Sequence, residues 1–348
     1  MKKTVWLLLL LGVLLLGGCS LLPEEERAFA VCLGVDERGG IWTVYARLPT
    51  YAGVGEYLTV SARGTSFGEA MTMLDAASPI RIHYGQVRLA VFSKALAEGE
   101  HFAGTLSDLG RMREFRMAAA VAVTENALEK VMDALEPETG MRLSKYLEVL
   151  LSSRAALGTI PDAKMGELLR SGVRQSMAVA NLTLEAEGRT VPGLAEQPLA
   201  AKGLAVQASG AWLIGQDGKV HGQLTAGEHQ LLRLMQGKLC KGALSFDGRS
   251  VTVLESACSV ERTGQEATCR IRLKCRDRQL TDEELEEAVL QGCGAVMQKL
   301  AAADCDALGL ARTRMMACAD WQQWQRAGWD RVYPALRWRI EAVIEHET

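Results

Sequence analysis

Val5 to Leu16 is an unbroken apolar run, preceded by Lys2 and Lys3 and closed by Leu16-Gly17-Gly18-Cys19. It is too short to remain in a bilayer as a spanning helix, which takes ~20 apolar residues. The lysines hold its start on the cytoplasmic side, and small residues ahead of a cysteine supply a site for cleavage and lipid modification. Residues 1–18 therefore read as a lipoprotein signal peptide and Cys19 as the lipid attachment site. Everything after Cys19 then folds outside the cytoplasmic membrane, tethered by acyl chains worth ~0.8 kcal/mol per buried CH2. Residues 19–27, with Pro23 and three consecutive glutamates, read as a short acidic tether, and no second apolar run reaches spanning length.

Taking residues 1–18 from 348 leaves 330, enough for two or three packed units. With 48% hydrophobic and 23% charged residues the bulk should be globular. Without Lys2 and Lys3, the 39 basic residues become 37 against 42 acidic ones, which disfavours nucleic acid as a partner. The clusters Arg111 to Arg116 and Arg270 to Lys274 are small and read as solvated faces.

The pattern predicts an α+β protein, multi-domain, with largely antiparallel or mixed sheets packed by helices. A hairpin is expected from Ala28–Asp36 and Ile41–Leu48, and a strand at Tyr57–Arg63. Ser66 and Glu69 have capping-box spacing for a helix ending near Ala77, and Thr225/Glu228 and Thr281/Glu284 repeat it. Strands at Gln86–Ser93 and Met117–Val123, helices near Lys94–Glu98, His101–Leu109, Arg142–Arg154 and Ala163–Arg170, and a Thr124-capped helix fill the first half. The stretch Gly188 to Lys202, with Pro192 and Pro198, marks a boundary between an N-terminal region (28–190), divisible into two subdomains, and a C-terminal domain (200–348). The latter should close on a long half-buried strand from Leu336.

Eight cysteines remain besides Cys19, with none of the spacings of zinc or thioredoxin-like motifs. Alternating runs at 251–260 and 267–275, turning at Thr263-Gly264, would set Cys258 directly opposite Cys269. Such a pair is compatible with a cross-strand disulfide or with two free buried thiols. No HExxH, GxSxG, Walker A or GxGxxG pattern supplies a metal, nucleophile or phosphate site. His83 reads as a capping or packing residue, and Asp304-Cys305-Asp306 as a solvated turn ahead of a cation site. Trp321 and Trp324, at i, i+3 spacing, read as anchors of a helix to the core. No metal, cofactor or catalytic residue is expected, so function should lie in binding.

Several segments, in order, resemble the C-subunit lipoproteins of spore germinant receptors, the Ger(x)C (GerAC-like) family. They are the lipid-attachment cysteine, Glu26 to Val31 with Leu33 to Asp36, Gly64 to Ala70, His83 to Val87, and Arg111 to Arg116. The last is Asp306-Ala307-Leu308-Gly309-Leu310 with Trp321 or Trp324, Trp329 and Tyr333-Pro334. Ser20 and Leu21 stand where the family usually has Trp-Asp, and the cysteines are unusually many. The resemblance implies a non-enzymatic receptor subunit on the outer face of the cytoplasmic (spore inner) membrane. Its partners would be the membrane-embedded A and B subunits, one of them transporter-like. The alternative is a solute-binding lipoprotein of an importer, but the two halves lack the repeated βαβ spacing of such lobes.

Overall fold

The computed structural model describes residues 27–50, 57–135, 141–170, 177–186, 204–239, 242–246, 248–276 and 279–347. The expected signal peptide, Cys19 and the tether up to Glu26 lie outside the described residues.

The first hairpin forms where its sequence predicts. β2 (Cys32–Arg38) and β3 (Ile41–Pro49) pair antiparallel with Arg38 opposite Ile41. Gly39 and Gly40 close the turn at φ +60° and +79°, the left-handed pair that a primed two-residue turn requires. Ahead of it, β1 (Arg27–Phe29) pairs in parallel with β5 (Arg81–His83). Within a few residues of expectation come β4 (Tyr57–Gly64), α1 (Phe67–Ala77), β6 (Leu89–Ser93), α2 (Lys94–Ala97), α3 (Phe102–Arg111) and β7 (Ala120–Thr124). Thr124 differs from its expected role: its hydroxyl accepts from the Asn126 N–H at 3.1 Å, a local turn. The helix after it, α4 (Leu128–Asp133), begins at Ala127 with no side-chain cap. Next come α5 (Leu143–Ala156), α6 (Met165–Arg170), β8 (Met177–Ala186), β9 (Leu204–Ile214) and β10 (Val220–Leu224).

Eight of these strands form one mixed sheet, in the order β10-β9-β8-β7-β6-β2-β3-β4. Its central strands β2, β6, β7 and β8 run parallel. Every residue of β6 and β7 is buried because helices cover both faces, as the small apolar run of β7 predicts and the alternation read in β6 does not. Leu33, Phe92 and Val121 share one core with Leu74 of α1 and Phe102 of α3. Cys32, Leu89 and Ala122 share the other with Leu128 of α4 and Leu147 of α5.

The expected boundary at Gly188 to Lys202 lies outside the described residues, yet the sheet crosses it. β8 and β9 pair antiparallel from Met177 opposite Ile214 to Ala186 opposite Leu204. The C-terminal region therefore contributes β9 and β10 to the N-terminal sheet, and a division at 190–200 does not separate two cores.

Beyond β10, α7 (Ala226–Met235) opens with the expected capping box. The Thr225 hydroxyl accepts from the Glu228 N–H, and the Glu228 carboxylate accepts from the Thr225 N–H. β11 (Gly242–Phe246), which the sequence reading lacks, joins β12 (Arg249–Thr263), β13 (Glu266–Arg276) and β14 (Arg337–His346) in a second sheet. α8 (Asp282–Ala302), capped the same way at Thr281, leads across to β14, which pairs in parallel with β13. Leu231, Leu232 and Leu234 of α7 pack with Leu213 and Leu224 of the large sheet and with Val251, Ile271 and Val289 of the C-terminal unit. α7 is thus the shared wall of both units. It is also pinned by polar bonds, since His229 Nδ1–H donates to the Gly158 carbonyl at 2.7 Å and Gln230 Nε2 to the Leu157 carbonyl at 2.9 Å.

Among the described residues no helix is long and apolar enough to cross a membrane.

Candidate functional site

Three of the N-terminal motif segments meet in space. The Phe29 ring lies 5.5 Å from the His83 ring, and His83 Nε2 lies 3.6 Å from the Glu114 carboxylate, which also approaches Arg81 at 3.9 Å. His83 does cap: its Nδ1 accepts from the Gly85 N–H at 3.2 Å. The Tyr84 hydroxyl, on a buried ring, donates to Asp75 of α1 at 2.8 Å. Ser66 accepts from the Glu69 N–H at 3.1 Å, while the Glu69 carboxylate reaches back to the Thr65 N–H and hydroxyl, both at 2.6 Å. Those two Thr65 bonds hold the exposed Glu69 carboxyl below the usual carboxylate range. A Cβ on Gly64 would stand 2.6 Å from the Ala70 backbone nitrogen, so the close strand-to-helix approach needs glycine there.

The C-terminal segment builds a second cluster. α9 (Leu310–Met316), α10 (Trp321–Ala327) and α11 (Trp329–Val332) follow α8 and share a small core with Leu336. The Asp306 carboxylate, only 4% exposed, accepts from the backbone N–H groups of Leu310 and Ala311. Burial pushes its carboxyl up to about 6, against the lowering effect of the Ala311, Leu310 and Gly309 N–H groups. The Tyr333 hydroxyl donates to the Cys305 carbonyl at 2.7 Å, and Trp324, Trp329 and Tyr333 stack in sequence at 6.2 and 6.1 Å. Asp304, at φ +46°, accepts from Gln216 Nε2 at 2.9 Å. The Asp304-Cys305-Asp306 segment is therefore a buried cap that ties α9 to the β9–β10 turn, and not the solvated turn expected. No group of three metal-ligating side chains occurs among the described residues.

Trp329 is an anchor, 4% exposed, but Trp321 is not: it is 54% exposed, and α10 buries none of its residues. Beside this cluster runs a cleft of about 630 Å3, lined by Glu167, Arg170, Met177, Lys238, Asp306 and Arg312 among others. Its walls come from both units.

The cysteine hairpin forms with a register two residues away from expectation. The turn is Gly264-Gln265, with Gly264 at φ +63°, so Thr263 pairs with Glu266 and Cys258 with Ile271. Cys258 and Cys269 are consequently diagonal neighbours, yet their sulfurs lie 3.4 Å apart with both thiols free. The hydrogen bond from Cys269 lowers the Cys258 thiol, and the same bond, with burial, raises Cys269. Cys240 lies outside the described residues. On the outer face of the same sheet Arg270 pairs with Glu261 at 2.6 Å and Glu341 at 3.0 Å, so that basic run is a solvated face.

Capping, packing and a mixed-charge cleft are what these segments build among the described residues. Residues 24–180 match the family model of the spore germination protein N-terminal domain. Its N-terminal region is thus similar to that of GerAC-like proteins. A solved structure titled "Crystal Structure of the GerBC protein" shares the fold, with a TM-score of 0.52 at 14% identity over 91% of this chain and 97% of that one. No curated protein matches the sequence.

Proposed function

We propose that this chain is the lipid-anchored C subunit of a spore germinant receptor, without catalytic activity, working beside membrane-embedded A and B subunits. The match of residues 24–180 to a spore germination domain carries this reading. The GerBC-like fold, which runs on through the C-terminal unit, supports it. In this reading acylated Cys19 holds the body on the outer face of the cytoplasmic (spore inner) membrane. Confinement to that plane raises the concentration of the subunit near its partners, so modest side-on contacts suffice.

Replacing Cys19 by alanine should release the protein from the membrane fraction and impair nutrient-triggered germination. Full response with the variant in the soluble fraction would contradict the tether. For the exported protein we also propose that Cys258 and Cys269 close to a disulfide by thiol–disulfide exchange with an external disulfide, which takes up their two protons and two electrons, their sulfurs moving from 3.4 Å to about 2.05 Å. Non-reducing peptide mapping should recover the two linked. Free alkylation of both in the denatured, unreduced protein would exclude the bond.

A further inference from the structure

The C-terminal helices carry exposed apolar residues and unpaired cations close together in sequence. Met316 is 76% and Trp321 54% exposed, and the short link between them keeps them within about 17 Å of each other. Arg312, Arg314, Arg326 and Arg331, all exposed, make no ion pair among the described residues. Against these four cations the stretch 310–332 carries two carboxylates, Asp320 and Asp330, in a chain whose formal charge is −3. Asp320 is already engaged, capping α10 through the Gln323 N–H at 2.7 Å.

Strand register places this surface. Cys32 is level with Leu89, and Leu89 with Ala120, at the starts of β2, β6 and β7. Ala122 is level with Ala180, so Met177 and its partner Ile214 lie at that same end of the sheet, as does Val220 opposite Ile214. The β9–β10 turn therefore projects from the end where β1 leads into β2. Gln216 and Asp217 of that turn share a cleft of about 500 Å3 with Trp324, Gln325 and Trp329. The C-terminal helices thus stand at the end of the molecule from which the tether departs. From Arg27 back to Cys19 there are seven intervening residues, a reach of no more than about 29 Å.

We propose that this helical surface rests on the anionic leaflet of the membrane, with Trp321 and Met316 in the headgroup boundary and the four arginines on lipid phosphates. Tryptophan prefers that boundary, and unpaired basic side chains are drawn to acidic lipids within a Debye length. The inference rests on the lipid-tether reading, since the acyl chains bring the surface within range and the surface then fixes the orientation of the body. A protein partner would have little use for four unneutralised guanidinium groups unless its own surface were acidic.

The test uses the full acylated protein on phosphatidylcholine vesicles, with and without phosphatidylglycerol, carrying spin-labelled quencher lipids. The difference in emission between the protein and its Trp321→Phe variant isolates Trp321. We expect quenching of that component to be at least about twofold stronger in the anionic vesicles at low salt. The gain should vanish when Arg312, Arg314, Arg326 and Arg331 are all replaced by glutamine, exposed changes that leave the fold intact. Protein that floats with the vesicles while Trp321 stays unquenched overturns the docking and keeps the tether. Protein that fails to float overturns both, and protection of Trp321 that needs added membrane proteins overturns it in favour of a protein contact.

Discussion

Truncating Tyr333 to alanine is expected to cost about 4 kcal/mol of stability, among the largest effects of any single change in the C-terminal unit. The ring is 1% exposed, stacks on Trp329, and ends in a hydroxyl that donates to the Cys305 carbonyl at 2.7 Å. Removing it opens a cavity under α11 and leaves that carbonyl without its partner. Tyr333→Phe keeps the ring and loses the bond alone, so it should cost ~1–2 kcal/mol. Urea unfolding followed by tryptophan emission separates the two. A loss under ~1 kcal/mol for the alanine variant would show that the Trp-Trp-Tyr stack does not hold the unit together.

The second large effect is a pH dependence centred on His229. Burial drives this imidazole down to about 4 from its ordinary 6.5, with Arg233 adding to the shift and the bond to the Gly158 carbonyl opposing it. A folded-state value below the unfolded one means that the unfolded chain binds the proton first as pH falls. The contribution of His229 is therefore complete above pH ~6.5 and is lost progressively down to pH ~4, about 3 kcal/mol in all. Asp306 acts in the opposite sense. Its raised carboxyl makes the fold more stable as pH falls from ~6 toward its unfolded value near 4. A difference curve between the protein and His229→Gln cancels Asp306 and leaves the His229 term. That curve should flatten by about 3 kcal/mol between pH 7 and pH 4. A constant offset across this range would place a charged imidazole in the fold and contradict the burial.

What the sequence disclosed is mostly local. Ser66, Thr225 and Thr281 cap their helices because the oxygen and the N3 amide are a fixed three residues apart. Gly39-Gly40 sets its hairpin for a similar reason. The strand at Ala120 to Thr124 was legible as buried on both faces, while Leu89 to Ser93 was legible as a strand by its alternation and proves buried throughout. The missed features are long-range or conformational. Pairing of β8 with β9 across residues 187–203 joins the two units, and nothing in the composition of Gly188 to Lys202 signals that the strands on either side meet. The cysteine hairpin slipped by two residues because Gly264, not Thr263, takes the first turn position that needs positive φ. Trp321 keeps helical spacing with Trp324 yet faces solvent, since α10 packs through the Trp324 side. Asp306 read as part of a solvated turn because its true partners, backbone N–H groups of the helix it caps, have no side-chain signature.

The motif segments that mark the family turn out to be structural here: caps, a close glycine approach and an aromatic stack. In the proposed reading, function is carried by surfaces that this scaffold displays and by the lipid tether that holds the chain. The most direct test is purification of the chain from detergent-solubilised spore membranes, with mass analysis of its N-terminal peptide and of the proteins that accompany it. An acylated Cys19 peptide recovered together with two membrane-embedded receptor subunits is the predicted result. An unacylated chain recovered alone from the soluble fraction would contradict it.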